Sequence, residues 1–140
     1  MNVLDTDVVS NFFNGRTDVV KLVESLSHTE LALTIITCGE VIRGWLAAKR
    51  QDESGKGQVT LPEAYLQFSK VLTALHDFTI LPYTPDAVIL VKAWSKAKVK
   101  GGGPQDFRIA ATCVIHNVQL ITHNGKDFQH IPGLKLSVWN

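Results

Sequence analysis

The chain has 140 residues, 45% of them hydrophobic and 19% charged, and a formal net charge of +1 at pH 7. This is the composition of an ordinary globular protein, so we expect one domain over residues 1–140. The net charge of +1 excludes recognition of nucleic acid through overall positive charge, so any such binding would need a local basic patch. No apolar run approaches the ~18 residues of a membrane span, and no basic stretch or signal-peptide core follows Met1. These features favour a cytoplasmic protein without a membrane partner.

Hydrophobic periodicity and turn residues predict strands and helices in alternation. Strands are predicted at residues 2–4, 31–36, 78–83, 118–122 and 134–139. Helices are predicted from residue 8, after an N-cap at 17–18, after residue 37, from residue 62, from 84 to the glycines at 101–103, and over 104–116. The polar segment 51–60 is predicted to be a loop. This alternation is typical of an α/β fold with a parallel sheet covered on both faces.

Carboxylic acids follow the predicted strands or begin the predicted helices. In parallel sheets, sites form beyond the carboxyl ends of the strands, near a switch in strand order. Four acids meet this criterion: Asp5, Glu40, Asp106 and Asp127. At about 5 Å and an effective dielectric near 20, each pair of carboxylates would cost roughly 3 kcal/mol, so their convergence favours a bound cation. Ligation by oxygen alone suits Mg²⁺, with Mn²⁺ as an alternative.

Each of these acids also has an interpretation that needs no ligand. Asp5 and Asp7 could cap the helix that follows them, and Asp106 could be a first-turn acid stabilised by the helix dipole. Asp127 could lie in a turn, and Glu40 could close a TCGE capping box. Spacing alone therefore leaves a metal site as one of two interpretations.

Four blocks of sequence resemble, in order, those of the PIN-domain family and of the VapC-type toxins within it. The blocks are VLDTDVVS at 3–10, TIITCGEVIRG at 34–44, PQDFRIAAT at 104–112 and LITHNGKDF at 120–128. The resemblance implies a PIN-like three-layer α/β/α sandwich with a central, mainly parallel sheet of four to five strands. It also implies a Mg²⁺-dependent endoribonuclease that hydrolyses RNA phosphodiester bonds with a metal-activated water, acting on tRNA or another structured RNA.

The resemblance also implies roles for individual residues. The catalytic quartet would be Asp5, Glu40, Asp106 and Asp127, with Asp5 and Asp106 as the direct metal ligands. Glu40 and Asp127 would act through waters or a second ion. The residues that would orient carboxylates and waters beside the site are Thr6, Asp7, Thr122 and Asn124. Arg43 and Arg108 would bind substrate phosphates.

Partners follow from the same resemblance. VapC-type toxins pair with a VapB-type antitoxin that inserts a segment into the acidic groove, usually form homodimers, and reach DNA only through the antitoxin. Asp7 stands where Asn or Ser is common in the family and adds negative charge near the site. A stripe of Lys92, Lys96 and Lys100, with Lys98 nearby, either contacts phosphates or forms a solvated helix face. The histidines at 116, 123 and 130 fit no zinc motif and are expected in surface or packing roles.

Two other functions are compatible with parts of the sequence. The DTDVV motif at 5–9 also fits a haloacid-dehalogenase-like phosphatase, in which Asp5 would be the nucleophile and Asp7 the acid. Such an enzyme needs a later Gly-Asp followed by a further acid, and here Asp127 has no such partner before it. A catalytically silent PIN-like binding module is the third interpretation, and the presence of all four acids argues against it.

Overall fold

The computed structural model describes residues 1–27, 30–53 and 60–140, with 48–53 described as backbone only. The strands are β1 (Asn2–Leu4), β2 (Leu31–Thr34), β3 (Thr79–Leu81), β4 (Gln119–Thr122) and β5 (Lys135–Val138). The helices are α1 (Thr6–Phe13), α2 (Thr17–Glu24), α3 (Ile35–Glu53), α4 (Leu61–His76), α5 (Pro85–Lys96) and α6 (Pro104–His116), followed by a 3₁₀ turn at Gly125–Asp127. Within these described ranges, no helix is both long and apolar enough to cross a bilayer.

The five strands form one sheet in the order β3-β2-β1-β4-β5, and every neighbouring pair is parallel. The chain builds outward from β1 to β3 on one side and then returns to place β4 on the other side of β1. The switch in strand order therefore lies between the carboxyl ends of β1 and β4, where a site is expected. The predicted α/β class and parallel sheet are confirmed.

Helices cover both faces of the sheet because its strands are apolar on both sides. Side chains alternate between faces along a strand, so Val3 packs with α5 and α6, whereas Leu4 packs with residues of α1, α2, α3 and α4. Leu120 and Ile121 of β4 divide between the same two clusters. This gives the three layers of an α/β/α sandwich.

Several predicted boundaries were wrong. Strand β2 ends at Thr34 and α3 begins at Ile35, because the Thr34 hydroxyl accepts a hydrogen bond from Thr37 N at 3.1 Å, as an N-cap does. Helix α3 includes residues 51–53 of the predicted loop at 51–60, and residues 54–59 of that loop lie outside the described part of the chain. Helix α2 begins at Thr17 itself, with Arg16 at the N-cap position.

The lysine stripe is also not a continuous helical face. Helix α5 ends at Lys96, and Lys98 adopts a left-handed backbone conformation with φ 55°. Lys92 and Lys96 lie exposed on α5, whereas Lys100 lies beyond the helix next to the glycines. The spacing that predicted one stripe therefore does not hold past Lys96.

Candidate active site

Asp5 lies at the switch point, directly after β1, and is only 6% exposed. Its Oδ1 accepts a hydrogen bond from Thr6 N at 2.8 Å, so it caps α1 as the alternative interpretation predicted. Its Oδ2 accepts a second bond from the Thr122 hydroxyl at the end of β4, also at 2.8 Å. Asp5 therefore caps α1 and also lies at the candidate site.

The Asp5 carboxyl is hard to ionise in this setting. Burial raises its pKa from 3.8 to about 7, and the negative charges of Asp7 and Asp106 act in the same direction. The hydrogen bonds from Thr122 and Thr6 oppose this change without cancelling it. A cation beside Asp5 would supply the missing favourable charge.

Glu40 reaches the same region from α3. The Thr6 hydroxyl donates to Glu40 Oε1 at 2.7 Å, and the buried Thr37 hydroxyl lies 3.3 Å from Thr6 Oγ1. Because α3 begins at Ile35, Glu40 lies in the second turn and does not form the predicted TCGE capping box. The capping interpretation of Glu40 is wrong.

Asp106 occupies the first turn of α6, where its Oδ2 accepts a hydrogen bond from Gly103 N at 3.1 Å. Burial raises the pKa of this carboxyl, and the charges of Asp127, Glu40 and Asp7 raise it further. Asp106 therefore lies at a helix start and also near acids from three other segments of the chain.

Asp127 is held beside β4 through Asn124. Asn124 Nδ2 donates to Asp127 Oδ2 at 2.6 Å, and Asn124 N donates to the Thr122 hydroxyl at 3.0 Å. Thr122 thus bonds both Asp5 and the turn that carries Asp127. The turn interpretation of Asp127 is correct for its backbone, and its charge also raises the pKa of Asp106.

Gly102 brings Asp106 and Asp127 together. A Cβ added there would overlap Asp106 Oδ2 and lie 2.8 Å from Asp127 Cγ, so both carboxyls rest against this glycine. The backbone on both sides is tied to the same acids, because Gly102 N donates to Asp127 O at 3.1 Å and Gly103 N donates to Asp106.

Gly102→Ala is therefore expected to displace the two carboxyls and to reduce catalysis by about a hundredfold, the scale of loss for misplaced reacting groups. Gly103→Ala is the matched control, since a Cβ there meets nothing within 4 Å. Cleavage rates of both variants on one substrate, with circular dichroism to check folding, make the comparison. Equal rates for the two variants would contradict this picture of the site.

Asp7 and His123 join the start of α1 to the end of β4. Asp7 Oδ1 accepts a hydrogen bond from Val8 N at 2.7 Å and a long one from His123 N at 3.5 Å. The ring of His123 is fixed by a 2.6 Å contact between Nδ1 and Trp139 O, which is a packing role. Asp7 therefore adds a fifth negative charge to the cluster, where it raises the pKa of both Asp5 and Asp106.

The donor set suits a hard cation that keeps part of its hydration shell. Among the described residues, no three His, Cys, Asp or Glu side chains are close enough to enclose an ion directly. Mg²⁺ usually takes one or two carboxylates directly and retains several waters, so it does not require such a cage. The oxygen-only donors and the raised pKa values of Asp5 and Asp106 fit such an ion.

The two predicted phosphate-binding arginines differ in setting. Arg108 is partly buried on α6, two residues after Asp106, and its Nη1 donates to Gln105 Oε1 at 2.7 Å. Arg43 is exposed on α3, one turn after Glu40. Their role toward a substrate stays a prediction.

The sequence analysis placed Thr6 and Thr122 beside the site but missed the hydroxyl groups of Thr34 and Thr37. Thr34 and Thr37 are fully buried, and their hydroxyls lie 3.3 Å apart in a chain that continues to Thr6 and Glu40. Three threonines close to the end of one strand and the start of another segment were a visible signal. Their connection could be inferred only once β1 and β2 were known to be neighbours.

Comparison with known proteins identifies the class of this fold. The PIN domain family model matches residues 3–134, and the chain belongs to this family. This family match argues against the alternative interpretation of the chain as a haloacid-dehalogenase-like phosphatase.

Individual relatives point to one group within this family. Ribonuclease VapC1 of Haemophilus influenzae strain R2866 is 24% identical over 143 residues, covering 98% of this chain and 96% of that protein. A toxin-antitoxin complex from Klebsiella pneumoniae is similar with a TM-score of 0.70 and 29% identity, covering 96% of this chain and 95% of the other. DNA-bound VapBC from Salmonella typhimurium has a TM-score of 0.77 at 22% identity, covering 99% and 98%. The predicted resemblance to VapC-type proteins is confirmed.

Proposed function

We propose that this chain is a Mg²⁺-dependent endoribonuclease and the toxin half of a VapBC-type toxin–antitoxin pair, acting in the cytoplasm on tRNA or another structured RNA. The similarity to a protein named Ribonuclease VapC1 and to VapBC complexes supports this function. The observation that carries it is the convergence of acids from separate segments: Gly102 lies against the carboxyls of Asp106 and Asp127, and the Thr122 hydroxyl bonds both Asp5 and the turn that carries Asp127. Besides burial, the charge of Asp106 raises the pKa of Asp5, and the charges of Asp127 and Glu40 raise the pKa of Asp106.

Asp5 and Asp106 would hold the ion directly, and Glu40 and Asp127 would act through its waters. When bound, Mg²⁺ would lower the pKa of a water molecule and offset negative charge on the phosphate oxygens. The chain's own hydrogen bonds do the positioning: Thr122 holds Asp5, Thr6 holds Glu40 and donates its N–H to Asp5. Such neighbours fix the direction in which a carboxylate presents its oxygens.

The proton of the attacking water needs an acceptor. We assign this role to Glu40, because its Oε1 is already fixed by Thr6 and its carboxyl lies at the partly exposed edge of the site. Proton transfer to a positioned carboxylate typically contributes about 10²–10⁴ in rate. Arg43 and Arg108 would hold the phosphates on either side of the cleaved bond.

The proposed protein partner is a VapB-type antitoxin, and the proposed assembly contains a homodimer of this chain, which would reach DNA only through the antitoxin. The α3–α4 pair carries exposed apolar side chains at Leu46, Leu66 and Leu72, which are 39%, 56% and 44% exposed. Exposed apolar residues concentrated on one pair of helices are typical of an interaction surface.

The test is incubation of the purified chain with total RNA in Mg²⁺, followed by mapping of the cut ends. We expect discrete cuts that disappear with chelator and with Asp106→Asn, and that return for the wild type when Mg²⁺ or Mn²⁺ is restored. Cutting that persists in chelator would disprove the metal mechanism. A folded wild type that leaves RNA intact under all conditions would favour the silent binding module.

A further inference from the structure

A groove between α5 and α6 opens beside the acidic site. Its volume is about 410 Å³, within the range of roughly 300–1,000 Å³ that is usual for small-molecule sites. Gly102 lines this groove and also touches the carboxyls of Asp106 and Asp127. The groove and the acidic site therefore adjoin each other at Gly102.

The groove combines an apolar floor with positive charge at its edge. Val91, Val99 and Phe107 contribute the apolar surface, and Lys98 and Arg108 contribute the charges. The ring of Phe107 is confined, because its centroid lies 6.4 Å from that of Trp94 and the outer edge of the ring lies next to Gly101. A rigid aromatic and aliphatic floor next to cations suits a flat apolar ring attached to a phosphate.

Lys98 occupies a backbone position that normally selects glycine. Its φ of 55° places it in the left-handed region just after α5, where Lys98 N donates to Ser95 O and Val99 N donates to Trp94 O. These two bonds are the Schellman pattern, in which glycine is favoured. A lysine held there against backbone preference, lining a groove, indicates a role for its charge.

We propose that this groove binds one nucleotide of the RNA next to the cleaved phosphate, with the base on the Val99–Phe107 floor and a phosphate on Lys98 and Arg108. The inference rests on the proposed ribonuclease function and adds the subsite that would determine base preference at the cut. An RNA nucleotide fits better than a protein segment, because the charged residues that line the groove, Lys98 and Arg108, are both cations and complement a phosphate attached to an apolar ring.

Lys98→Gly removes the charge of Lys98 without disfavouring the backbone conformation at this position. Glycine is preferred at this backbone position, so we expect an unchanged or raised melting temperature. We expect kcat/KM on a labelled transcript spanning the strongest cut site to fall about tenfold, and its log–log salt slope to decrease by about 0.7 for one lost phosphate contact. Two controls should keep the wild-type slope: Lys21→Ala, which removes an exposed lysine on α2, and Asn117→Gly, which changes a second non-glycine residue with a left-handed backbone.

Filling the groove tests the base-binding part. Ser95 is exposed on α5 and lines the groove, so Ser95→Trp should place an indole ring in it. We expect this variant to change the base preference beside the cut, read by sequencing cut ends from total RNA. Ala93→Trp is the control, since Ala93 is exposed on the same helix and does not line the groove.

The outcomes separate this inference from the function on which it rests. If the wild type does not cut RNA, both fail. If the wild type cuts, and Lys98→Gly and Ser95→Trp keep the rate, salt slope and base preference of their controls, the groove does not bind the RNA and the inference is overturned. The ribonuclease function would stand in that case. A groove that accepts a protein segment would give this second result.

Discussion

Asp5→Asn is expected to reduce RNA cleavage by about a thousandfold and to leave the protein folded. Asp5 is the acid at the switch point, and its two oxygens bond the start of α1 and the end of β4. Loss of this proposed direct ligand would remove the ion's contribution of several kcal/mol, and each factor of ten in rate corresponds to about 1.4 kcal/mol. Asn keeps the size of the side chain and an oxygen that can accept from Thr6 N.

The stability of this variant is informative as well. Without metal, a neutral side chain replaces a carboxyl that burial and neighbouring charges disfavour, so the variant should be as stable as the wild type or more stable near pH 7. Asp77→Asn is the control, because Asp77 is an exposed acid at the end of α4. Cleavage that survives Asp5→Asn at the level of this control would remove Asp5 from the mechanism.

The second large effect is a loss of stability of the metal-free protein as pH rises from about 4 to about 7. The pKa of Asp5 is about 7 in the folded chain and near 3.8 when unfolded, so in this range the folded state holds a proton that the unfolded state has lost. The free energy of unfolding therefore falls with increasing pH across this window. The drop is on the order of 4 kcal/mol, at about 1.4 kcal/mol per pKa unit.

Urea unfolding in chelator at several pH values measures this effect as the difference between wild type and Asp5→Asn, which removes the contributions of other groups. Asp106 should add a change of the same sign, because burial raises its pKa too. Mg²⁺ should restore the wild type near pH 8 by binding only the folded state, and should leave Asp5→Asn unchanged. Parallel pH profiles for the two proteins would show that Asp5 ionises normally.

The parts of the site that depend on local sequence could be predicted. Asp5 and Asp127 follow apolar strands, and Asp106 begins a helix after a glycine run, so each is visible in its own segment. The rule that sites form at strand carboxyl ends selected Asp5 and Asp127, whereas Asp106 was selected as an acid at a helix start. Glu40 was selected by the same rule, although the strand before it was predicted two residues too long.

The boundary of β2 was misplaced because of a side chain acting on the backbone. Residues 31–36 are branched and apolar enough for a strand, but the Thr34 hydroxyl binds Thr37 N and turns the chain into α3. The end of α5 failed similarly, since Lys98 adopts a left-handed conformation that its residue type does not suggest. Both boundaries depend on the conformation of a single residue, which hydrophobic periodicity and composition do not predict.

The contacts between segments could not be predicted. Thr122 bonds Asp5 across 117 positions of sequence, and Thr6 bonds Glu40 across 34. These pairs form because β1 lies between β2 and β4 in the sheet, an order that strand patterns alone do not determine. The groove beside the acids could not be predicted either, because it depends on how α5 packs on α6.

Electron paramagnetic resonance titration with Mn²⁺ tests most directly whether the acids form one cation site. The signal of free Mn²⁺ should disappear stoichiometrically on addition of the wild-type chain, and Mg²⁺ should release it by competition. Asp5→Asn and Asp106→Asn should each lose this binding, whereas Asp77→Asn should retain it. Free Mn²⁺ unchanged by the folded wild type, or binding that survives both substitutions, would contradict a shared metal site.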